Sequence, residues 1–411
     1  MQDGPKNLAT LIVVAAMGWH LLAVLTPAWV VTFDQQQGRD FASYYYAVQV
    51  AAEGGDPYVK PALNKRARAD GNRRGVHPFL YAPPFLTLMA WTLPLDLPTA
   101  FHTWFWLHEA LAIAAAAVLI LWWRRLGDAV PWLVALCFAL MTAIPNNHAM
   151  GQANLAGFVL ALAGLWQTDA RRPHLGGALM GAASMLKMSP ALFVAWWMLR
   201  REWTAVGSAI ATAVVLSVVS LPLIGFSAQL RFYTEILPTF GSGLYNNLGV
   251  PIGLFGNHSI PNVLHQLFPS AGRTLSPAAQ ALSTVTGVGL MGALAVRWRH
   301  PDPTALQRAA QAASVGVLLL LVPVYTYEHH LVFALPAAVL GLLAIGSGAL
   351  RAAWAAPVAV AVAVLLFDLR DLKAIATASP GALGVLVQEA KFASLLVLLA
   401  ATATLGGQED P

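Results

Sequence analysis

The sequence predicts an all-helical protein that crosses a membrane many times. Of its 411 residues, 58% are hydrophobic and only 10% are charged, whereas soluble domains carry roughly 25% charged residues. Apolar runs of about 20 residues, each long enough to span a bilayer, recur along the whole chain. The longest polar stretches, 33–77 and 225–279, are too short for a soluble domain of useful size. We therefore expect a single integral membrane domain over 1–411.

The apolar runs predict ten clear spans. The first run is about 24 residues long, well beyond the 7–15 of a signal-peptide core, so we expect it to be a retained span. A shorter apolar helix is expected between Pro84 and Pro94. The predicted spans are 8–31, 98–123, 130–145, 152–168, 204–224, 280–298, 309–326, 330–348, 352–367 and 384–405.

The segment 171–201 predicts a re-entrant helical hairpin. Arginine pairs at both of its ends (Arg171 and Arg172, Arg200 and Arg201) place both ends on one side of the membrane. The 27 residues between the pairs are too few for two full spans, and Lys187-Met-Ser-Pro190 interrupts them. Broken backbone at membrane depth is tolerated only inside protein or along a wet cavity. Depending on how the hairpin is counted, the total is 10 to 12 hydrophobic segments, and we expect about 12 with the hairpin included.

The charge distribution predicts the topology. Basic clusters mark the cytoplasmic face, and here they are Arg124/Arg125, Arg171/Arg172, Arg200/Arg201, Arg297/Arg299/Arg308 and Arg351. Both termini are then cytoplasmic, and loops 33–77 and 225–279 are extracytoplasmic, as expected for a multi-pass plasma-membrane protein. Loop 33–77 departs from the rule because it carries seven basic residues. Cys137 is alone in an apolar run, so no disulfide is expected. No nucleic-acid-binding signature is present.

Polar residues concentrate at the outer ends of the predicted spans. Ionisable groups near the bilayer are costly and are therefore functional candidates. On the predicted topology they all open to one outer cavity. The candidates are Arg39, Asp40 and Tyr44 in the first loop, Tyr81 before the short helix, Asn146, Gln152 and Asn154 between two spans, Lys187 in the hairpin, Asn257 and His258 in the second loop, and Glu328, His329 and His330 at a span junction.

Asp40 allows two interpretations. It could act as a general base, or it could cap a helix over Phe41–Glu53 by accepting backbone N–H groups. Lys187 could bind an anion, or its charge could extend to the membrane interface.

The other candidates also have structural alternatives. Adjacent residues on a helix point about 100° apart, so we expect only one of His329 and His330 to face the cavity and contact phosphate. The asparagine and glutamine side chains could bind sugar or satisfy loop backbone. Arg39 and the basic group at 65–74 could contact lipid headgroups. The run Tyr44–Tyr46 could form an interfacial aromatic belt.

Several motifs together resemble one known family. They are Asp-Phe-x-x-Tyr-Tyr…Gly-x-Asp-x-Tyr at 40–58, Tyr-x-Pro-Pro at 81–84, Gly-Gln-x-Asn at 151–154, Leu-Lys-Met-Ser-Pro at 186–190, Asn-His-Ser-Ile at 257–260 and His-His at 329–330. Their order along a polytopic chain is similar to glycosyltransferase family 87, integral membrane enzymes of the GT-C fold. His258 stands where the family pattern has glutamine.

The resemblance implies a fold and an activity. It implies a GT-C architecture with juxtamembrane helices in the outer loops and a catalytic aspartate in the first loop, at the position of Asp40. The donor it implies is polyprenyl-phosphate-mannose, with a glycolipid acceptor such as a phosphatidylinositol mannoside. The expected reaction is an inverting mannosyl transfer that needs no metal or cofactor. Arabinofuranosyl transfer from a polyprenyl phosphate, and a lipid-linked-sugar flippase or transporter, stay open as alternatives.

Overall fold

Every regular element among the described residues is a helix. The computed structural model describes residues 4–30, 38–73, 75–299, 303–369, 372–378 and 382–407. The first ten α-helices are α1 (Gly4–Val30), α2 (Arg39–Ala52), α3 (Lys60–Ala69), α4 (Pro84–Met89), α5 (Leu97–Trp123), α6 (Val130–Leu140), α7 (Ala143–Met150), α8 (Asn154–Asp169), α9 (Pro173–Leu186) and α10 (Ala191–Leu199).

The second half of the chain continues the helical pattern. Its α-helices are α11 (Trp203–Ile224), α12 (Phe226–Arg231), α13 (Ile260–Leu267), α14 (Pro277–Arg297), α15 (Ala305–Leu321), α16 (Leu335–Gly346), α17 (Ala352–Leu366), α18 (Lys373–Ala378) and α19 (Ala382–Gly406). Short 3₁₀ segments cover Ala90–Thr92, Arg124–Leu126, Leu237–Ser242 and Glu328–Ala334, and Phe232–Ile236 is a π-helical turn.

The prediction of an all-helical, multi-pass membrane protein is confirmed. Within the described residues, five helices are long and apolar enough to cross a bilayer, and a sixth span results if the bent pair Val130–Leu140 and Ala143–Met150 is counted as one. The five are Leu97–Leu126, Trp203–Ile224, Pro277–Arg297, Glu328–Gly346 and Leu383–Gly406. Other predicted spans correspond to shorter apolar helices, so the total of about 12 segments stays a prediction.

Two expected segments differ in detail from the structure. The predicted span 130–145 is broken after Leu140, where α6 ends and α7 leaves at an angle of 49°. The backbone N–H of Thr142, in the break, donates to the carbonyl of Leu366 at 3.0 Å. The segment 171–201 forms α9 and α10, which are separated at Lys187–Pro190. α9 packs between α8 and α11, and its re-entrant placement in a bilayer stays a prediction.

Two large hydrophobic clusters form most of the buried core. The larger surrounds α15 and α16, and the smaller joins α2 and α4 to the N-terminal end of α5. Tyr44, Tyr45 and Tyr46 lie inside the smaller cluster, each at most 4% exposed. The interfacial belt considered for these tyrosines is therefore wrong: α2 is buried by the loop that follows it.

Candidate functional site

The predicted site residues mostly meet in one cavity of about 660 Å³. Its walls come from the start of α2, the segment before α4, the α7–α8 junction, the α9–α10 break, the loop after α12 and the junction after α15. Ten of the thirteen candidates line it. They are Arg39, Asp40, Tyr44, Tyr81, Asn146, Gln152, Lys187, Glu328, His329 and His330.

Asp40 is held by a side chain from another helix junction. The N-cap of α2 is Gly38, in the left-handed region at φ 63°, and Asp40 lies in the first turn. The helix-cap interpretation of Asp40 is therefore wrong. Instead, Oδ2 of Asp40 accepts a hydrogen bond of 2.6 Å from Nε2 of Gln152. Because Asp40 has two carboxylate oxygens and the amide takes one, Oδ1 is left for another donor.

Two tyrosines fix the amide of Gln152. The hydroxyl of Tyr81 donates to Oε1 of Gln152 at 3.0 Å, and the hydroxyls of Tyr44 and Tyr81 lie 2.6 Å apart. Burial raises the pKa of both phenols well above the ordinary value, so both remain protonated donors at neutral pH. With its oxygen facing phenols, the amide must present its NH₂ group to Asp40.

A glycine explains how Asp40 and Gln152 come together. Gly151 ends α7 in the left-handed region at φ 68°. A Cβ atom there would lie 2.6 Å from Cβ of Phe41, so only glycine lets α2 approach this turn. The backbone N–H of Gly38 also donates to the carbonyl of Ala149 at 2.7 Å. The start of α2 is therefore fixed against the turn that carries Gln152.

Lys187 and His330 form a pair of donors at the cavity wall. Nδ1 of His330 accepts from the backbone N–H of Tyr327 at 2.9 Å, so the neutral imidazole carries its proton on Nε2. Nζ of Lys187 lies 3.3 Å from this Nε2 and 3.4 Å from the hydroxyl of Tyr81. An ammonium group beside an N–H group favours an anion that accepts from both, because neither donor offers the other an acceptor.

Tyr81 connects the two halves of the site. Its hydroxyl contacts both Lys187 and Gln152, and the Lys187 ammonium also lies 5.2 Å from the centroid of its ring. A continuous chain of polar contacts thus joins Asp40 to the Lys187–His330 donors.

Glu328 is engaged with protein partners. One of its oxygens, Oε1, accepts from Nζ of Lys391 at 2.6 Å and from Oγ1 of Thr142 at 2.8 Å. Lys391 lies in α19 and is 1% exposed. The sequence alone indicates that Lys391 is unusual, because it is a charged residue inside a membrane-spanning helix. It does not identify Glu328 as the partner of Lys391, which requires the fold.

Three candidates lie outside the cavity lining. Asn154 donates to the carbonyl of His329 at 3.1 Å, beside Asn147, which donates to the same oxygen at 2.6 Å. Asn257 donates to the carbonyls of Ile252 and Val324, both at 2.9 Å.

His258 is the third of these candidates. Burial, together with Lys391, lowers the pKa of His258 to about 3, so its approach of 4.0 Å to Glu328 is not an ion pair at neutral pH. The contacts of these three residues favour a role in positioning the cavity wall.

His329 and His330 both contribute to the cavity lining. The expectation that only one would do so assumed an α-helix, whereas Glu328–Ala334 is a 3₁₀ segment with a different side-chain spacing.

A second polar cluster lies apart from the cavity lining. Glu109 of α5 is flanked by two histidines, with Nε2 of His20 at 3.1 Å from Oε1 and Nε2 of His148 at 3.1 Å from Oε2. The cluster ties α1 and α5 to α7, the helix that ends at Gly151.

Comparison with known proteins assigns the family. The model of glycosyltransferase family 87 matches residues 79–323. The chain belongs to glycosyltransferase family 87. The resemblance predicted from the ordered motifs is therefore confirmed.

Its curated relatives are mycobacterial enzymes. The chain is 28% identical over 275 residues to an alpha-(1->3)-arabinofuranosyltransferase of Mycobacterium tuberculosis, with 62% of this chain and 58% of the relative covered. It is 26% identical over 314 residues to a polyprenol-phosphate-mannose-dependent alpha-(1-2)-phosphatidylinositol pentamannoside mannosyltransferase of Mycolicibacterium smegmatis, covering 75% and 70%.

A third relative is, like the second, named as dependent on polyprenol-phosphate-mannose. It is a polyprenol-phosphate-mannose-dependent alpha-(1-2)-phosphatidylinositol mannoside mannosyltransferase of M. smegmatis, 26% identical over 218 residues, with 52% of this chain and 47% of the relative covered. The chain thus spans only about half of the length of some of these relatives.

Proposed function

We propose that this family 87 glycosyltransferase moves mannose from a polyprenyl-phosphate donor to a glycolipid acceptor, with Asp40 as general base. The main support for the proposal is that one cavity contains both a carboxylate, Asp40, and two N–H donors that can bind an anion, Lys187 and His330. Asp40 offers Oδ1 at one point of the network, and Lys187 and His330 offer N–H groups at another. A sugar phosphate needs both: an anion site for the leaving group and a base for the incoming hydroxyl.

The donor phosphate would be held by Lys187 and His330. As the bond between the anomeric carbon and the phosphate oxygen breaks, its electron pair stays on the phosphate, whose charge the two donors stabilise. Fixed donors in a site shielded from water are the strongest means of stabilising developing charge. His329 lies beside them, and Asn147 and Asn154 hold its carbonyl.

The acceptor hydroxyl would attack the anomeric carbon while Asp40 takes its proton. General base catalysis of this kind contributes typically about 10²–10⁴-fold in rate. Gln152 would act as a positioning residue, because its N–H group occupies Oδ2 and directs Oδ1 to the acceptor. Attack from the face opposite the phosphate inverts the configuration, so a β-linked donor would give an α-linked product.

The cavity is proposed to open on the extracytoplasmic side of the plasma membrane. Its wall residues come from the loops and helix ends opposite the basic clusters, and such clusters are typical of the cytoplasmic side. Both termini are then cytoplasmic. A GT-C architecture, with α2 and α3 as juxtamembrane helices of loop 33–77, with 225–279 as the second outer loop and with 171–201 as a re-entrant hairpin, fits this arrangement.

Arabinofuranosyl transfer is the second candidate. Similarity to an arabinofuranosyltransferase, over 62% of this chain, favours it specifically. The proposed phosphate site serves either sugar, since both donors would be polyprenyl phosphates, and Arg39, Tyr44 and Asn146 would contact sugar or acceptor in both cases.

The decisive experiment compares donors in membranes that contain the purified and reconstituted protein. We expect labelled mannose to reach a glycolipid acceptor from polyprenyl-phosphate-mannose, and no transfer from GDP-mannose. If transfer occurs only from polyprenyl-phosphate-arabinose, the transferred sugar is arabinose and not mannose. Movement of the intact donor between leaflets without any product would contradict the transferase proposal and support a flippase.

A further inference from the structure

Three basic side chains of the first outer loop are exposed on one surface of the protein. α3 packs against α2, and its residues Leu63 and Ala67 have no exposed area. Lys65 and Arg68, three positions apart, project from the exposed side of the helix. Arg73, in the segment after α3, is exposed as well. We call Lys65, Arg68 and Arg73 the basic surface.

The segment after α3 folds back and brings Arg73 alongside the helix. The backbone N–H of Asn72 donates to the carbonyl of Ala67 at 2.9 Å. The backbone N–H of Val76 donates to Oδ1 of Asn64 at 2.8 Å. Because Asn64 lies nearer the start of α3 than Ala67 does, this segment runs antiparallel to the helix. The three basic residues therefore belong to one continuous surface.

The basic surface has no negative partner among the residues that the structure describes. None of its three side chains forms an ion pair or a hydrogen bond with them. Arg66 binds the carboxylates of both Glu53 and Asp70, with its Nε at 2.7 Å from Oε1 of Glu53, and so takes up two negative charges of this loop. Like charges at neighbouring positions of a helix repel each other. An anion from outside the protein would offset this repulsion.

Contacts of α2 place the basic surface beside the start of a membrane span. The phenol of Tyr45 donates to the carbonyl of Leu95 at 2.8 Å, one residue before Asp96, the N-cap of α5. Burial raises the pKa of this phenol, and the charges of Asp70 and Arg66 also act on it. The C-terminal half of α3 therefore lies close to the point at which α5 begins to cross the bilayer.

The other end of α3 lies near the cavity. Its first residue is Lys60, whose charge acts on the His77 side chain. His77 in turn lines the cavity. The helix that carries the basic surface thus runs from the cavity wall to the beginning of a span.

We infer that the basic surface binds anionic lipid headgroups of the bilayer in which the protein is embedded. Basic side chains beside a membrane attract anionic lipids, and arginine and lysine donate charge-assisted hydrogen bonds to phosphate oxygens. The position next to the start of a span favours headgroups over a free anion or an acidic protein, because headgroups lie at that level. The inference also accounts for part of the seven basic residues of loop 33–77, and it does not depend on which sugar is transferred.

Titration of the detergent-purified protein with short-chain lipids tests this inference. Native mass spectrometry would measure the affinity for dihexanoyl-phosphatidylglycerol, which is anionic, and for dihexanoyl-phosphatidylcholine, which has no net charge. Because each basic residue near a membrane adds to the attraction, wild type should bind phosphatidylglycerol at least about tenfold more tightly than phosphatidylcholine. The triple variant Lys65→Gln/Arg68→Gln/Arg73→Gln should bind the two lipids with similar affinity. A wild type without this preference would overturn the inference.

Arg273 provides the matched control for a single substitution. It is an exposed arginine of the second outer loop, with its Nη1 at 3.2 Å from the carbonyl of Gly249. Arg68→Gln should weaken phosphatidylglycerol binding severalfold, whereas Arg273→Gln should leave it unchanged. Equal loss in the two variants would show a general effect of net charge and contradict a specific basic surface.

Two further measurements separate lipid headgroups from other anions. Millimolar inorganic phosphate should not displace phosphatidylglycerol, because the lipid is also held by its acyl chains. Competition by phosphate that disappears in the triple variant would indicate a site for the free anion instead. Lys187→Met should keep the preference for phosphatidylglycerol. If Lys187→Met loses this preference and the triple variant keeps it, the lipid phosphate binds in the cavity and the inference is wrong.

Thermal unfolding distinguishes lipid binding from a purely structural role. Basic residues near the C-terminal end of a helix also stabilise its dipole, and this effect needs no lipid. In neutral detergent, we expect the triple variant to unfold at nearly the same temperature as wild type. Added phosphatidylglycerol should then raise the unfolding temperature of wild type more than that of the variant. A variant that is less stable in detergent alone, and that gains as much from the lipid as wild type does, would overturn the inference.

Discussion

At the level of single residues, the predicted base depends on a neighbour that the sequence presented as a sugar ligand. Gln152 lies in the motif Gly-Gln-x-Asn, and its amide was expected to bind sugar or loop backbone. Instead it donates to Asp40 and accepts from Tyr81. Both the N–H group and the oxygen of the Gln152 amide are hydrogen-bonded to protein side chains. Its contacts therefore favour a role in orienting Asp40 over a role in sugar recognition.

Replacing Gln152 with leucine should leave Asp40 free to rotate. We expect kcat to fall about 10-fold or more, since misplacement of a catalytic group by an ångström costs up to about 10² in rate, with little change in donor KM. Steady-state kinetics with saturating donor would measure this. Gln229→Leu removes a buried amide that bonds to the carbonyl of Ser217 and lies outside the cavity lining; a loss as large as that of Gln152→Leu would argue for a general effect on folding.

Lys187 should control binding of the donor phosphate. Lys187→Met removes one of two donors, and a charge-assisted hydrogen bond is worth about 1.5–3 kcal/mol, so farnesyl phosphate should bind more weakly by about 10- to 100-fold. Calorimetry on the detergent-purified protein would measure it, with the exposed Arg273 of the second outer loop replaced in the control Arg273→Met. Unchanged affinity in Lys187→Met would remove this lysine from the phosphate site.

At the level of elements, the junction after α15 is fixed by a charge from the last span. Glu328 precedes the histidine pair, and its carboxylate is bound to Lys391 of α19 and Thr142 of the α6–α7 break. The same half of α19 carries Glu389, which accepts from Gln266 of α13 at 2.9 Å. The polar N-terminal half of α19 therefore binds both the junction after α15 and α13.

Removing one partner of the buried Glu328–Lys391 ion pair should destabilise the fold more than removing both partners. Lys391→Met leaves Glu328 uncompensated, which typically costs about 3–5 kcal/mol, whereas replacing both charges is often close to neutral. We expect Lys391→Met to lower the unfolding temperature strongly and Glu328→Gln/Lys391→Met to recover most of it. Thermal unfolding in detergent would measure the difference. Additive effects of the two single changes would show that the charges do not interact.

At the level of the whole molecule, the sequence predicted those features that follow from composition and order. Repeated apolar runs predicted a multi-pass helical protein, and the order of the motifs predicted family 87. Ten of thirteen site candidates line one cavity because the helix ends and junctions that carry them converge there.

Other features depend on contacts between distant segments and were not predictable. The Asp40–Gln152 bond joins residues 112 positions apart, and the Glu328–Lys391 pair joins two different spans. The burial of Tyr44–Tyr46 depends on a loop folding back over α2. The left-handed residues at 245–247 lack glycine, which is the usual sequence signal for such backbone.

The proposed orientation of the chain can be tested with single cysteines. Cys137 is buried, so Cys137→Ala provides a background without thiols. A cysteine replacing Ser270, in the second outer loop, should react with a membrane-impermeant maleimide on intact cells, and one replacing Arg351 should react only after lysis. Labelling of position 351 on intact cells would invert the topology and place the cavity on the cytoplasmic side.

The most direct test of the account is the activity of Asp40→Asn in the transfer assay with polyprenyl-phosphate-mannose. Asparagine keeps the size of the side chain but cannot accept the proton, so product formation should fall by at least about 10² while farnesyl phosphate binding stays normal. Asp96→Asn, at the N-cap of α5, is the matched control, because asparagine caps helices as well as aspartate does. Turnover of Asp40→Asn close to that of wild type would contradict the assignment of Asp40 as the base.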